Sequence, residues 1–145
     1  MGFQLPRNFD FPYFTRSVTQ FWKHWHMTLG QWFAHYLYFP LGGSRGSALS
    51  TARNLSVVFL ISGLWHGASW NFVIWGAYHG LLLSIYRALG IRTEDGKYSK
   101  VTIFFLGILM FHLTCIGWIL FRAQNVETIV AFLEGIFFHP VASAT

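Results

Sequence analysis

Residues 101–121, VTIFFLGILMFHLTCIGWILF, contain no Asp, Glu, Lys or Arg. A helix of that length spans a hydrocarbon core of roughly 30 Å, and it has no charged face to leave in water. The run predicts a membrane-spanning helix. Residues 70–86 are nearly long enough to do the same. Residues 55–64 are apolar but too short to cross alone, so they are read as re-entrant or as continuing through the Trp and Gly residues that follow.

The rest of the chain fits that environment. Charged residues make up 10% of the sequence and hydrophobic residues 54%, against about 25% charged in an average soluble domain. Seven tryptophans and six tyrosines suit the membrane interface, where an amphipathic ring sits at headgroup depth. The net charge of +5 comes without a dense basic run or a nucleic-acid motif, so anionic lipid is the simpler partner and nucleic acid is not expected. The lone Cys115 has no internal disulfide partner and lies in an apolar run, where a thiol behaves as a small hydrophobe. No signal peptide of the usual charged, apolar and small-residue order opens the chain.

The expected fold is an all-α membrane protein, with an interfacial amphipathic helix followed by two to three spanning or re-entrant helices. Residues 1–15, with Pro6 and Pro12, read as an extended lead-in, and Thr15 or Ser17 is available to cap a helix. Over 16–38 a helical projection gathers Trp22, Trp25, Leu29, Trp32, Phe33 and Tyr36 on one face and turns Lys23, His24, Gln31 and His35 away from it. Such a helix lies along an interface rather than across it. Residues 39–54, FPLGGSRGS and its continuation, read as a Gly-rich loop, and 55–86 as histidine-containing membrane segments. There Gly63 and Gly67, then Gly76 and Gly80, are spaced for close helix approach. Arg87, Arg92, Lys97 and Lys100 make the next loop cytoplasmic on the positive-inside rule. Residues 126–138 form a short amphipathic tail before Pro140.

The stretch SGLWHGASWNF, residues 62–72, sets an ionisable imidazole, His66, between tryptophans in apolar sequence. Ionisable groups at membrane depth are costly and tend to face a protein interior or a cavity. His26 falls at the edge of the tryptophan face beside Trp22, Leu29 and Phe33, so it too should be buried with a partner or held toward a cavity. His24 and His35 share the polar face with Thr28 and Gln31 and read as solvated. His112 and His139 read as structural. For His79, between two close-packing glycines, a helix–helix hydrogen bond and a supporting role at a site stand equally open.

Metal is not expected: His24 and His26 diverge by roughly 200° on a helix, and no Cys or carboxylate cluster supplies further ligands. A haem held between His66 and His112 is not excluded by spacing. Cys115 has no neighbouring base, and no Ser stands in a G-x-S-x-G elbow. The natural chemistry for an imidazole here is general-base action on a substrate hydroxyl, with His66 as the leading candidate.

Four motifs occur in order: NFDFPY, FWKHWHMTLGQW, YLYFPLGG and SGLWHGASWNFVIWGAYHG. Together they resemble the bacterial, alginate O-acetyltransferase-like branch of the membrane-bound O-acyltransferases. The similarity is dense from Asn8 to about Leu83 and looser through GWILFRAQNVE, residues 117–127. The resemblance implies that His66, the His of the family's "WHG" motif, is the catalytic residue. It implies that His26, the His of "RWHxS", is a second functional position lining the same tunnel. It further implies acyl transfer from a thioester donor, acetyl-CoA or an acyl carrier, to hydroxyls of an exported polysaccharide or cell-wall polymer. No bound cofactor is implied. The setting would be multi-pass, in the bacterial inner membrane, often beside an extracytoplasmic acyltransferase partner.

On that reading Trp65, Trp70, Asn71 and His79 are the expected substrate-binding positions around His66. The chain departs from the family pattern at Gln20, His24, Ala34 and His35, and at Thr28 and Gly30, where Ser is common. These changes bear on donor or partner contacts more than on the catalytic step. Relatives resemble this chain only over their C-terminal portion, so it is expected to be a piece of a larger polytopic fold. Two other classes compete: a non-catalytic membrane scaffold or assembly subunit, and a small haem-binding or ion-handling protein using His66, His79 and His112.

Overall fold

The computed structural model describes residue 2, residues 5–93 and residues 95–138, the side chain of Phe137 excepted; His139 and Pro140 lie outside them. The elements in chain order are α1 (Val18–His24), α2 (Met27–Phe33), α3 (Ala48–His66), α4 (Trp70–Ala88), α5 (Lys100–Arg122) and α6 (Val126–Phe138). A 3-10 turn, Pro12–Phe14, precedes them, and a π-helical turn, Ala34–Tyr38, continues α2. No strand occurs among the described residues, so the fold is all-α as expected. Helices α3 and α5 are each long and apolar enough to cross a membrane, and α4 matches α3 at 19 residues.

Most helix starts are written locally. Ser17 Oγ accepts from the Gln20 N–H, while Gln20 Oε1 accepts from the Arg16 N–H, a reciprocal arrangement close to a capping box. Ser47 caps α3 through the Ser50 N–H, Ser99 caps α5 through the Thr102 N–H, and Asn125 Oδ1 takes the Thr128 N–H ahead of α6. Each such cap contributes about 1 kcal/mol in ordinary settings. Ser47 moves the start of α3 well before Leu55. The loop expected over 39–54 therefore gives up residues 48–54 to the helix, and Leu55–Leu64 is the middle of a longer element. Asn54 secures what remains of the loop, donating from Nδ2 to the carbonyls of Leu41 and Gly43, both at 3.0 Å.

The antiparallel α3–α4 pair is the centre of the fold, and its glycines set the spacing. A Cβ on Gly63 would collide with the Phe72 carbonyl, and one on Gly76 with the carbonyl of Phe59. Backbones approaching this closely favour packing between helices where lipid supplies no hydrophobic drive. Helix α5 packs on α4: the Tyr78 hydroxyl donates to the Leu113 carbonyl at 2.8 Å, and Asn71 Nδ2 donates to the Ala123 carbonyl at 2.9 Å. Helix α1 presses Val18 and Phe21 against Tyr86 and Met110.

The single helix expected over 16–38 is broken at Trp25–His26. Trp25 is extended (φ −103°, ψ 126°) and His26 is left-handed (φ 44°, ψ 55°). The one-face projection fails with it: Trp22, Trp25, Leu29 and Phe33 turn inward to a common cavity, while Trp32 and Tyr36 are exposed. Neither residue at the break is Gly or Pro, so the cause lies in tertiary contacts from the lead-in. His24, expected to be solvated, is part of them: its Nδ1 lies 2.7 Å from the Asp10 carbonyl.

Candidate functional site

His66 is the last residue of α3, and the chain reverses directly after it. The Gly67 N–H donates to Leu64 and the Ser69 N–H to Gly67, so α4 begins within a few residues. A Cβ at Gly67 would stand 2.7 Å from the Phe72 ring, which explains the glycine at this tight reversal. The imidazole is held by rings. Trp75 and Phe121 meet it edge-on, with centroids at 5.5 and 4.9 Å, and Phe72 lies at 6.1 Å. No hydrogen bond to either ring nitrogen is formed among the described residues, so no neighbour fixes the tautomer.

His26 arrives from the break between α1 and α2. A non-glycine residue in the left-handed region is strained by roughly 1–3 kcal/mol and persists where surroundings enforce it, often at functional sites. Its Nδ1 is buried without a partner, which leaves Nε2 as the ring edge available to an occupant.

Both imidazoles line one cavity of about 480 Å³ between α1–α2 and the α3–α4–α5 bundle. Aromatic rings make a large part of the wall: Trp22, Trp25, Phe33, Tyr38, Phe59, Trp75, Trp118 and Phe121. Polar groups are few, chiefly Ser62, Lys23 and Gln31. Of the described histidines, only His26 and His66 line it.

The other expected site residues go elsewhere. Trp65 and Trp70 are 60% and 74% exposed and do not line the cavity. The Trp65 ring nevertheless packs edge-on against the His66 imidazole, with centroids at 4.9 Å, whereas Trp70 opens α4 beyond the reversal. Asn71 is buried and tethers α4 to the end of α5 rather than facing the cavity. His79 forms no helix–helix hydrogen bond among the described residues and supports the cavity from behind rather than lining it. It is buried behind the wall, its ring 5.0 Å from both Trp22 and Trp75, its Nδ1 unpartnered and its Nε2 edge against Gly117. His112 bonds back to the Ile108 carbonyl on an exposed face of α5 and does not reach the cavity with His66.

Sequence reasoning missed Ser62, Trp75 and Phe121. Ser62 had a signal, since it stands one helical turn before His66 and i, i+4 positions share a face. No group of three His, Cys, Asp or Glu side chains able to hold a metal occurs among the described residues. Chemically, the cavity offers two imidazoles in a largely apolar cleft with few groups that hold water. That suits proton transfer beside a bond that water would otherwise hydrolyse.

The chain matches the membrane-bound O-acyltransferase family over residues 2–120. It belongs to that family. Among its relatives, the probable alginate O-acetylase AlgI of Pseudomonas aeruginosa is 43% identical over 94% of this chain and 26% of its own length. The peptidoglycan O-acetyltransferase of Helicobacter pylori is 41% identical over 92% of this chain and 25% of its own. The teichoic acid D-alanyltransferase of Bacillus subtilis is more distant, 27% identical over 86% of this chain and 34% of its own length. The chain thus spans about a quarter of the length of the first two.

Proposed function

We propose that this chain carries the catalytic histidines of a membrane enzyme that moves an acetyl group from a thioester donor to hydroxyls of an exported polysaccharide or cell-wall polymer. The observation that carries the reading is the pairing of His66 and His26 in one ring-walled cavity. Relatives named for alginate, peptidoglycan and teichoic acid support a polymeric acceptor.

His66 accepts the proton of an acceptor hydroxyl as its oxygen attacks the thioester carbonyl carbon. The C–S bond then breaks, and the departing thiolate takes the proton back from His66. His26 donates a hydrogen bond that orients the donor carbonyl or the acceptor. These steps require no metal. The donor is acetyl-CoA or an acyl carrier protein, used as a substrate.

Direction follows from charge. Because α3 and α4 are antiparallel, Arg45 and Arg53 lie at the same end as Arg87, Arg92, Lys97 and Lys100, and His66 lies toward the other end. On the positive-inside rule the cationic end faces the cytoplasm. His66 is then nearer the far side of a bacterial inner membrane, where an exported polymer and an extracytoplasmic transferase partner are found. A scaffold role gives no reason for two imidazoles at one cavity.

The test is the O-acetyl content of the exported polymer made with the full-length protein carrying His66→Gln, with membrane levels quantified in parallel. Loss of a general base typically lowers rate by about 10² to 10⁴. Near-normal acylation by His66→Gln would return His66 to a structural role.

A further inference from the structure

The break that presents His26 is held from outside its own helices, by three consecutive residues of the lead-in. Helix α2 starts at Met27, yet its N-cap residue, His26, makes no side-chain cap. Helix starts leave N–H groups without intrahelical partners, and here Asn8 supplies the acceptors. Its backbone carbonyl takes the Met27 N–H at 2.9 Å, and its Oδ1 takes the Thr28 N–H at 3.1 Å and the Thr28 hydroxyl at 2.5 Å.

Asp10 does the matching work on the other side. Its N–H donates to the His24 carbonyl at 3.0 Å, and its own carbonyl faces His24 Nδ1 at 2.7 Å. Arg7 pairs with the Asp10 carboxylate at 2.8 Å. Between them Phe9 sets its ring 4.8 Å from Trp25 and 5.8 Å from His26. Residues 8–10 therefore fasten both flanks of Trp25–His26 and pack on the two residues themselves.

We infer that Asn8 is a positioning residue for His26. It caps α2 from a distant point in the chain, so that His26 can adopt the left-handed backbone that directs its ring to the cavity. A side chain serving as its own cap would need the extended backbone usual at that position, and His26 does not have it. Asn8 itself does not line the cavity, so it acts through His26 and touches no substrate. The inference rests on the function proposed above.

The two fail differently. If His66→Gln acylates normally, the function reading is wrong. If His66→Gln is inactive while Asn8→Ala acylates normally, only this inference is wrong.

The experiment compares Asn8→Ala and Asn8→Asp in the full-length protein, reading O-acetyl content of the exported polymer against membrane protein level. Asn8→Asp keeps an acceptor oxygen in place and puts negative charge at a helix N-terminus, where it is favoured. Transfer should stay within roughly threefold of normal with Asn8→Asp and fall on the order of 10- to 100-fold with Asn8→Ala, the scale of a misplaced catalytic group. Equal losses in both, or normal transfer with Asn8→Ala, overturn the inference. Should Asn8→Ala fail to accumulate, Thr28→Val tests the clamp from the other side. It removes the hydroxyl bonded to Asn8 but keeps the shape and the N–H, and it should lower transfer by roughly threefold or more; unchanged transfer would overturn the inference. Where His26→Gln leaves measurable activity, adding Asn8→Ala to it should cause no further loss, because residues acting through one group are non-additive.

Discussion

The ring of Phe121 stands edge-on to that of His66, at 4.9 Å between centroids and 85° between planes. The two residues stand at the ends of different helices, Phe121 next to last in α5 and His66 last in α3, so this contact is how α5 reaches the imidazole. Phe121 also lies 5.2 Å from Phe72 and 5.6 Å from Trp75, so it touches two of the other rings beside His66.

Phe121→Ala should therefore loosen His66 without touching its chemistry. Acylation by the full-length protein is expected to drop by about tenfold or more, as a misoriented general base would give. Phe121→Leu, which keeps much of the volume, should recover most of it. Polymer O-acetylation normalised to membrane protein is the measurement. Equal activity in wild type and Phe121→Ala would show that the ring does not hold His66.

The glycines of the α3–α4 pair predict a defect of a different kind. Gly63→Ala and Gly76→Ala place a methyl group against backbone carbonyls of the partner helix, and a backbone cannot rotate away as a side chain can. Overpacking of this sort costs about 1–3 kcal/mol. Both variants should lower thermal stability in detergent or membrane accumulation. Gly107→Ala on α5, where a Cβ would meet nothing within 4 Å, should not. Three indistinguishable melting curves would contradict the close approach.

What the sequence could and could not reveal divides by range. The apolar runs 70–86 and 101–121 became helices α4 and α5 because a long apolar helix is a local property of composition and length, although the helices apolar enough to cross a membrane are α3 and α5 rather than α4. Gly63 and Gly76 read correctly as close-approach positions because small residues have few other uses there. His26 and His66 stood out because an imidazole among aromatics has no solvated face. The break at Trp25–His26 had no such signal: FWKHWHM contains no helix breaker, and what bends it is Asn8 and Asp10, distant in sequence. The early start of α3 was hidden by Arg53 and Asn54, polar residues that read as loop until Asn54 is seen bonding to the Leu41 and Gly43 carbonyls. Of the tryptophans beside His66 in sequence, Trp65 packs on its ring while Trp70 does not line the cavity, and Ser62, a turn away, is the cavity neighbour that went unread.

Cys115 should be dispensable. It lies on α5, half-buried and away from the cavity lining, and His112, one turn before it, bonds the Ile108 carbonyl. Cys115→Ala in the full-length protein should keep acyl transfer within about threefold of normal, since it removes one small side chain from a site that touches no substrate. An acyl group trapped on this sulfur, or lost transfer at normal protein level, would point to covalent catalysis instead.

His26 allows backbone strain and ring chemistry to be separated by substitution. Its φ of 44° is a conformation that glycine adopts freely and that Asn tolerates better than most residues. His26→Gly should therefore fold at least as well as His26→Ala, with a detergent melting temperature no lower, because about 1 kcal/mol or more of strain is relieved. Its acyl transfer should nevertheless fall as far as that of His26→Ala, since both lack the imidazole. His26→Asn keeps a hydrogen-bond donor on a shorter side chain suited to the same backbone, and it should retain partial activity. The ordering that supports a donor role is Asn above Gly and Ala in transfer, with Gly not below Ala in stability. If His26→Gly instead transfers normally, the bend between α1 and α2 matters for the shape of the cavity and the ring does not.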